Sequence, residues 1–294
     1  MSIKRRTVSG TIFDTVNVLF MLFLFVLMVY PFLYILMYSL STPLHVKAGL
    51  LFWPQGFTLG SYRELLTSKT VGGGFLISIS RSIIGPIGMV LITSMAAYAL
   101  AREDLWGRKT LNKFFIFTMY FSGGLIPVYM VIKGLHLTNN YWVYILPTLS
   151  NAFYLVLIRT YIESIPKSLE EAALIDGAGH IKTFFRVILP VCAPVIAAVV
   201  LFSCVYHWNS FIDNQLYTSM SKHLYTLQFI LYNILNASQA QAAEVAAQMG
   251  ATSDTNPETL KMAITMITVL PILCVYPALQ RYFASGLLIG SVKG

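Results

Sequence analysis

Long apolar runs separated by shorter polar segments dominate the pattern along the chain. A membrane core roughly 30 Å thick is crossed by about 20 helical residues, because a helix satisfies its own backbone hydrogen bonds where water is absent. Six runs reach this length, at about 12–40, 75–101, 112–133, 141–162, 188–212 and 260–282. The pattern predicts an all-α membrane protein with six transmembrane helices.

Composition supports the same prediction. Of the 294 residues, 56% are hydrophobic and 11% are charged, whereas roughly a quarter of the residues of a soluble domain are charged. The net charge is +8, but the Lys and Arg residues form no cluster, which favours a membrane surface over nucleic acid as a partner. The three cysteines lie far apart in apolar runs, so neither a disulfide framework nor a metal-binding CxxC pair is expected.

The first apolar run follows three basic residues at 4–6, as the apolar region of a signal peptide would. That region has roughly 7 to 15 residues and ends at a small-residue cleavage site. The run at 12–40 is longer, and residues 30–33 supply no such site. We therefore expect it to remain as a membrane anchor.

The distribution of positive charge predicts the orientation. With six spans, thirteen Lys and Arg residues fall on the side of the amino terminus and seven on the other. Because positive charge is retained in cytoplasmic loops, both termini are predicted to be cytoplasmic. Residues 1–11 are then a cytoplasmic segment, and 12–294 form the transmembrane domain. Pro and Gly within the spans, such as Gly123-Gly124 and Pro194, predict kinked helices.

The segment at about 164–185, between the fourth and fifth spans, is too polar to span and is predicted to form two short cytoplasmic helices. Ser168 and Glu171 have the spacing of a capping box at the start of the first helix. Gly177 and Gly179 are expected to end that helix in the left-handed conformation.

The spacing within this loop resembles a known signature. It is similar to the EAA motif of permease subunits of binding-protein-dependent ABC importers, with Glu171-Ala172-Ala173, Gly177, Val187 and Leu189-Pro190 at the family's positions. Val187 replaces the usual isoleucine. The stretch 165–178 resembles the carbohydrate-uptake branch, and 121–127 and 277–294 support that branch. The family's smaller permeases, such as that of the maltose transporter, have six spans and cytoplasmic termini.

The resemblance implies a type I ABC importer permease fold in a bacterial plasma membrane. It implies a multi-pass subunit that forms half of the pathway for a sugar or oligosaccharide and works by alternating access. The implied partners are a second homologous permease, two ATPase subunits and an extracellular solute-binding protein. No cofactor is expected on this chain, and ATP and Mg would be bound by the ATPase.

The resemblance also implies that the loop couples the chain to the ATPase. The residues matched for this role are Glu170, Glu171, Ala172, Ala173, Asp176, Gly177 and Ala178. A small-residue face suits close seating in a cleft, where Glu171 would pair with a cation; the alternative is that Glu171 only caps its own helix. In relatives a similar tail reaches the ATPases, so Val292, Lys293 and Gly294 are further candidates, with a frayed end as the alternative.

Candidates for a substrate pathway lie on the fourth and fifth spans. Tyr206, Asn209 and Asp213 are spaced i, i+3 and i+7, which predicts one helical face. Sugars bind aromatic faces and hydrogen-bonding side chains, so these residues, Trp208, Asn151 and Tyr154 are a candidate lining. Ordinary interface anchors are the alternative. In the maltose system the sugar site lies chiefly in the other permease.

Arg81 lies one and a half to two turns inside the second span, where a charge needs a partner or must reach the surface. We expect its side chain to extend to the outer surface. Facing the pathway is the alternative, and it would favour an acidic substrate such as a uronate-bearing oligosaccharide.

Two other classes of function compete. A secondary transporter or channel normally has intramembrane carboxylates, but Asp14, Glu163 and Asp213 all lie near span ends. A membrane enzyme is disfavoured because no HExxH or GxSxG motif is present and the five histidines are scattered. The sequence has no GxxxxGK[ST] loop either, so ATP hydrolysis would require a partner.

Overall fold

The computed structural model describes residues 8–43, 49–237 and 255–286. Within these ranges the chain forms helices, one isolated bridge between Ser41 and Phe57, and no strand. The α-helices are α1 (Val8–Ser39), α2 (Gly60–Thr67), α3 (Lys69–Ala101), α4 (Arg108–Tyr120), α5 (Leu125–Gly134), α6 (Ala152–Glu163), α7 (Ser168–Ile175), α8 (His180–Thr183), α9 (Leu189–Val191), α10 (Ala193–Asn209), α11 (Leu227–Asn236) and α12 (Pro257–Gly286). Shorter 3-10 turns occupy Tyr141–Tyr144, Leu146–Thr148 and Lys222–Leu224, and π turns occupy Phe184–Ile188 and Asn214–Thr218.

The long helices account for the predicted spans in two ways. Among the described residues, α1, α3 and α12 are continuous helices long and apolar enough to cross a membrane. The other candidate spans are bent pairs: α4 with α5 at 114°, the turns at Tyr141–Thr148 with α6 at 43°, and His180–Val191 with α10 at 81°. The prediction of an all-α membrane protein is confirmed, and six spans follow if each bent pair is one span.

Of the described residues, those before 69 and those between 234 and 269 form one compact unit. The apolar side chains of α1 are largely exposed within this chain. Asn256 and Thr259 cap α12 reciprocally: the amide of Asn256 donates to Oγ1 of Thr259 at 3.1 Å, and the amide of Thr259 donates to Oδ1 of Asn256 at 2.7 Å. Pro257 occupies the first helical position, where no amide hydrogen is needed.

Residues 69–233 and 270–286 form the second unit. Its core lies where α3, α6 and α10 pack together. The fully or nearly buried residues there are Met89, Ala97, Tyr98, Leu100, Leu155, Ile158, Ile162, Phe184, Ile188, Cys192, Val195 and Val199. Gly85 allows α10 to approach α3 closely, since a Cβ there would lie 2.2 Å from Nε2 of His207.

Candidate functional site

The helix α7 forms the middle of the loop between α6 and α10, and it ends at a glycine. Gly177 has φ +75°, a left-handed conformation that glycine adopts without steric cost. Its amide donates to the carbonyl of Leu174 and the amide of Ala178 donates to that of Ala173, both at 3.0 Å. These two bonds form a Schellman motif, which satisfies the last carbonyls of the helix. The left-handed conformation predicted for Gly177 at the helix end is confirmed. Gly179 has φ −70° and ψ 163°, so its predicted left-handed conformation is wrong.

The start of α7 differs from the prediction. Lys167 holds the N-cap position, Ser168 is already helical, and no side chain caps the helix. The amides of Leu169 and Glu171 donate to the carbonyls of Pro166 and Lys167, at 3.2 and 3.0 Å, so the first turn begins before Ser168. The predicted capping box is therefore wrong, and Glu171 does not act as its partner.

Glu170, beside Glu171, is bonded to other parts of the chain. Its Oε1 accepts hydrogen bonds from the hydroxyl of Tyr98 at 2.6 Å and from Nη1 of Arg102 at 3.2 Å. Tyr98 is a residue of α3 with a buried side chain, and its ring centroid lies 5.5 Å from that of Phe184. Glu170 therefore joins α7 to the end of α3.

Arg102 contacts both short helices of the loop. Its Nε and Nη2 donate to the two carboxylate oxygens of Asp104 at 2.9 and 2.6 Å, a bidentate pair that fixes the guanidinium plane. Its Nη1 contacts Nδ1 of His180 as well as Glu170. Because a guanidinium only donates, Nδ1 of His180 is the acceptor. The hydrogen bond from Arg102 lowers the pKa of Asp104 below its ordinary value.

Further ion pairs surround this contact. Arg108 pairs with Glu163 at 2.7 Å, and Arg159 reaches the same carboxylate oxygen at 3.6 Å. Lys167 pairs with Glu103 at 2.6 Å. Most of these groups line a cleft of about 470 Å³ between α7 and the adjoining ends of α3 and α6. The loop ionic network is defined here as Arg102, Arg108, Arg159, Lys167, Glu103, Asp104, Glu163 and Glu170.

The other candidates in the loop have different environments. Glu171, Ala172, Asp176 and Gly177 are exposed, whereas Ala173 and Ala178 are half-buried. No side-chain hydrogen bond or ion pair of Glu171 is found within residues 8–43, 49–237 and 255–286. Thus the two adjacent glutamates differ: one is bonded inside the chain, and the other is available to a partner. The carboxyl-terminal candidates Val292, Lys293 and Gly294 lie outside the described residues.

Sequence reasoning missed several residues of this site. Ile175 and Ile181 are 85% and 72% exposed, although both are apolar. Both lie outside the predicted spans. Apolar residues in a polar loop could have indicated a contact surface from the sequence. Tyr98, Arg102 and His180 were missed because they lie far from Glu170 in the sequence, and no local pattern connects them.

Arg81 does not extend to the outer surface, so that expectation is wrong. Its side chain is fully buried and forms an ion pair with Asp213. Its guanidinium carbon lies 4.5 Å from the ring centroid of Tyr144, a cation–π arrangement. Oδ1 of Asp213 also accepts from the amide of Asn214 at 2.9 Å, so the carboxylate both caps the π turn and holds it on α3. The alternative, in which Arg81 faces the pathway, does not describe this arrangement either, because the residue has no exposed surface within the chain.

The predicted face of Tyr206, Asn209 and Asp213 is also wrong. The helix α10 ends at Asn209, and Ser210 is extended with ψ 131°. Asp213 therefore lies beyond the end of the helix and turns to Arg81. Tyr206 and Asn209 are exposed, whereas Trp208 is nearly buried and its ring meets that of Phe75 edge to face, with centroids 6.1 Å apart.

The two candidates on the fourth span have local contacts. The side chain of Asn151 accepts from the amide of Tyr154 at 3.2 Å and caps α6. The ring of Tyr154 stacks on that of Phe202 in α10, with centroids 6.5 Å apart. These contacts give Asn151 a role at the helix start and Tyr154 a role in packing α6 on α10.

The family described as "Binding-protein-dependent transport system inner membrane component" matches residues 2–289. The chain belongs to this family. It is an inner-membrane permease subunit of a binding-protein-dependent ABC transport system, and the resemblance drawn from the EAA spacing is confirmed at the level of the family.

Two relatives from Bacillus subtilis (strain 168) illustrate the similarity of this permease to other family members. The polygalacturonan/rhamnogalacturonan transport system permease protein YtcP is 36% identical over 97% of this chain and 100% of its own length. Protein LplC is 38% identical over 98% of this chain and 97% of its own length.

A solved structure supports the fold of the permease. It belongs to a bacterial ABC transporter involved in the import of the acidic polysaccharide alginate. One of its chains aligns with a TM-score of 0.85 and 29% identity, over 94% of this chain and 98% of that chain. The predicted ABC importer permease fold is therefore confirmed. A permease subunit is not itself an enzyme, and a binding-protein-dependent system replaces the alternative of a channel or secondary transporter.

Proposed function

We propose that this chain forms half of the translocation pathway of an ATP-driven oligosaccharide importer and is coupled to an ATPase through α7. The observation that carries the proposal is the pair of adjacent glutamates. Glu171 is exposed for a partner, while Glu170 joins α7 to α3. The exposed Ile175 and Ile181 add apolar area to the same loop, as a docking surface requires.

The partners in this proposal follow the architecture of the family. An ATPase binds the loop and supplies ATP and Mg, a second permease completes the pathway, and a binding protein delivers the substrate from outside. The loop then faces the cytoplasm, as do both termini, in agreement with the excess of Lys and Arg on that side. Transport proceeds by alternating access as the ATPase moves α7.

The proposed substrates are acidic oligosaccharides that contain uronic acids. Support comes from the relatives: YtcP is named for polygalacturonan and rhamnogalacturonan, and the solved transporter imports alginate. Arg81 is not the group that would recognise their charge, because it is buried and paired with Asp213. Recognition is assigned instead to the binding protein and to groups of the assembled pathway.

Replacement of Glu171 with Ala tests the coupling role. We expect normal membrane insertion, reduced retention of the ATPase during purification, and uptake of oligogalacturonate lowered about tenfold, since an exposed ionic contact with a partner would be lost. Glu258→Gln on α12 is a matched control, because the side chain of Glu258 is also solvent-exposed, by 47%, and its ion pair is with Lys261 of its own helix, at 3.5 Å. Normal ATPase retention and uptake in the Glu171 variant would contradict the proposal.

A further inference from the structure

We infer that Glu170 is a positioning residue that locks the coupling helix α7 to the end of the span α3, and that it acts through Tyr98 and Arg102 rather than by touching the ATPase. This inference rests on the proposed coupling role of α7 and extends it. Two neighbouring glutamates of the same helix then have different roles: Glu171 contacts the partner, and Glu170 links α7 to α3.

The two groups that donate to Glu170 are fixed in position. Tyr98 and Arg102 donate hydrogen bonds to the same oxygen of Glu170, Oε1, at 2.6 and 3.2 Å. The Tyr98 hydroxyl is held in place by a ring that is buried and packed near Phe184. The Arg102 guanidinium is held in orientation by its two bonds to Asp104. The carboxylate therefore meets a rigid pair of donors rather than mobile surface groups.

The pair of Glu170 and Arg102 is only partly exposed to water. The side chains of Glu170 and Arg102 are 27% and 20% exposed, so water partly screens the pair without separating it. A hydrogen bond that involves a charged group contributes more than a neutral one, and partial burial strengthens it further. A carboxylate engaged in this way by two donors is less available to a soluble partner. Glu171, which is exposed and without such bonds, is the residue left for that contact.

Arg102 connects the end of α3 to both short helices of the loop. Arg102 follows the last residue of α3 and contacts both Glu170 of α7 and His180 at the start of α8. The chain continues from α8 through the π turn and α9 into α10, and α7 also packs against α8 and that turn. One guanidinium thus joins the coupling helix to the ends of two spans. A displacement of α7 would move α3 and the segment leading into α10 together.

Hydrogen exchange of the amides at 168–178 tests the link without any substrate. We expect exchange in Glu170→Ala to be about tenfold faster than in the unmodified protein, because the bonds holding the helix are lost. Tyr98→Phe, which keeps the ring, should accelerate exchange about threefold. Glu170→Gln should lie between the two, since its amide oxygen still accepts. In Glu171→Ala the rate should stay within about twofold. Equal acceleration in the two alanine variants would overturn the inference, as would no change in Glu170→Ala.

The second experiment uses the assembled transporter in proteoliposomes, with ATP hydrolysis and oligogalacturonate uptake measured together. In Glu170→Ala the ATPase should remain bound, while uptake per ATP hydrolysed falls about threefold to tenfold. In Glu171→Ala less of the ATPase itself should be retained. In the double variant Tyr98→Phe with Glu170→Gln, the loss of uptake per ATP hydrolysed should be smaller than the sum of the losses in the two single variants. Both changes act on the same contact, so their effects are not independent. Loss of the ATPase in Glu170→Ala would show direct contact and overturn the inference.

The two experiments separate failure of the inference from failure of the proposed function. If no ATPase accompanies the unmodified chain, the coupling role is refuted, but the exchange measurement still decides whether Glu170 holds α7. If Glu170→Ala does not insert, the comparison of Tyr98→Phe and Glu170→Gln with Glu171→Ala decides the matter, because both conservative variants keep the size of the side chain. Exchange rates in those two variants equal to that of the unmodified chain would then refute the link.

Discussion

Two ionic clusters in the second unit differ in their access to water. The pair of Arg81 and Asp213 lies deep in the fold, with the Arg81 side chain fully buried and Asp213 17% exposed. The loop ionic network lies at the ends of α3, α6 and α7, and the exposure of its charged side chains ranges from 14 to 70%. Both clusters join distant parts of the chain. Only the second can exchange its partners for water.

Because of this difference in exposure, the two clusters stabilise the fold in different ways. Separating a buried pair leaves a charge without water or partner, which costs several kcal/mol per ion. Such a pair fixes one arrangement of the backbone, here the π turn on α3. Partly exposed pairs cost much less to open. The loop network can therefore hold α7 in place and still yield when a partner moves it.

The largest expected effect comes from breaking the buried pair. Asp213→Asn leaves the Arg81 charge buried without its partner, so we expect a loss of about 3–5 kcal/mol in the free energy of unfolding. Thermal unfolding in detergent, followed by size-exclusion chromatography, measures it. The double variant Arg81→Met with Asp213→Asn should recover part of the loss. If Asp213→Asn were as stable as the unmodified protein, the buried pair would not be what fixes the π turn on α3.

A smaller effect is expected at the loop end. Arg108→Gln removes the 2.7 Å pair with Glu163 and the bond from Nε to the carbonyl of Leu100 at 3.0 Å. Because Arg159 remains beside Glu163 and the pair is partly hydrated, we expect a loss of about 1 kcal/mol. The same unfolding measurement applies. A loss as large as that of Asp213→Asn would remove the distinction between the clusters.

The smallest effect is expected for Lys167→Gln, where both partners are about 70% exposed. Lys167 lowers the pKa of Glu103, so their contribution is present at pH values above the unfolded pKa of Glu103 and is lost as the pH falls through its folded value. At neutral pH the unfolding midpoint should stay within the scatter of repeated measurements. The variant should also lack the slight acid-dependent decrease of the unmodified chain. A shift at neutral pH comparable to that of Arg108→Gln would be contrary to this expectation.

The sequence predicted those parts of the molecule that depend on local pattern. Apolar runs located the helices that cross the membrane, and the spacing from Glu171 to Pro190 located the loop and the family. Gly177 was predicted because the end of a helix has a local signature. The prediction that Asp213 shares a helical face with Tyr206 and Asn209 was wrong. Periodicity assumes an unbroken helix, whereas the chain becomes extended at Ser210.

The contacts that organise both clusters could not be predicted for a different reason. Arg81 and Asp213 are separated by 132 positions, and Arg102 and Glu170 by 68. No period or motif connects such pairs, since their proximity arises from the packing of α3 against α6 and α10. The same holds for the capping box: its spacing was present, but the turn beginning at Pro166 placed Ser168 inside the helix.

The bend between His180–Val191 and α10 has a mechanical consequence. The two arms meet at 81°, and α10 has 17 residues, which makes it about 26 Å long at roughly 1.5 Å per residue. If α10 turns as a rigid rod about Cys192, a rotation of about 5° moves Asn209 by about 2 Å. The shorter arm, from His180 to Val191, is less than that length. A modest tilt imposed at the loop is thus enlarged at the opposite end of the helix, as with a lever of unequal arms.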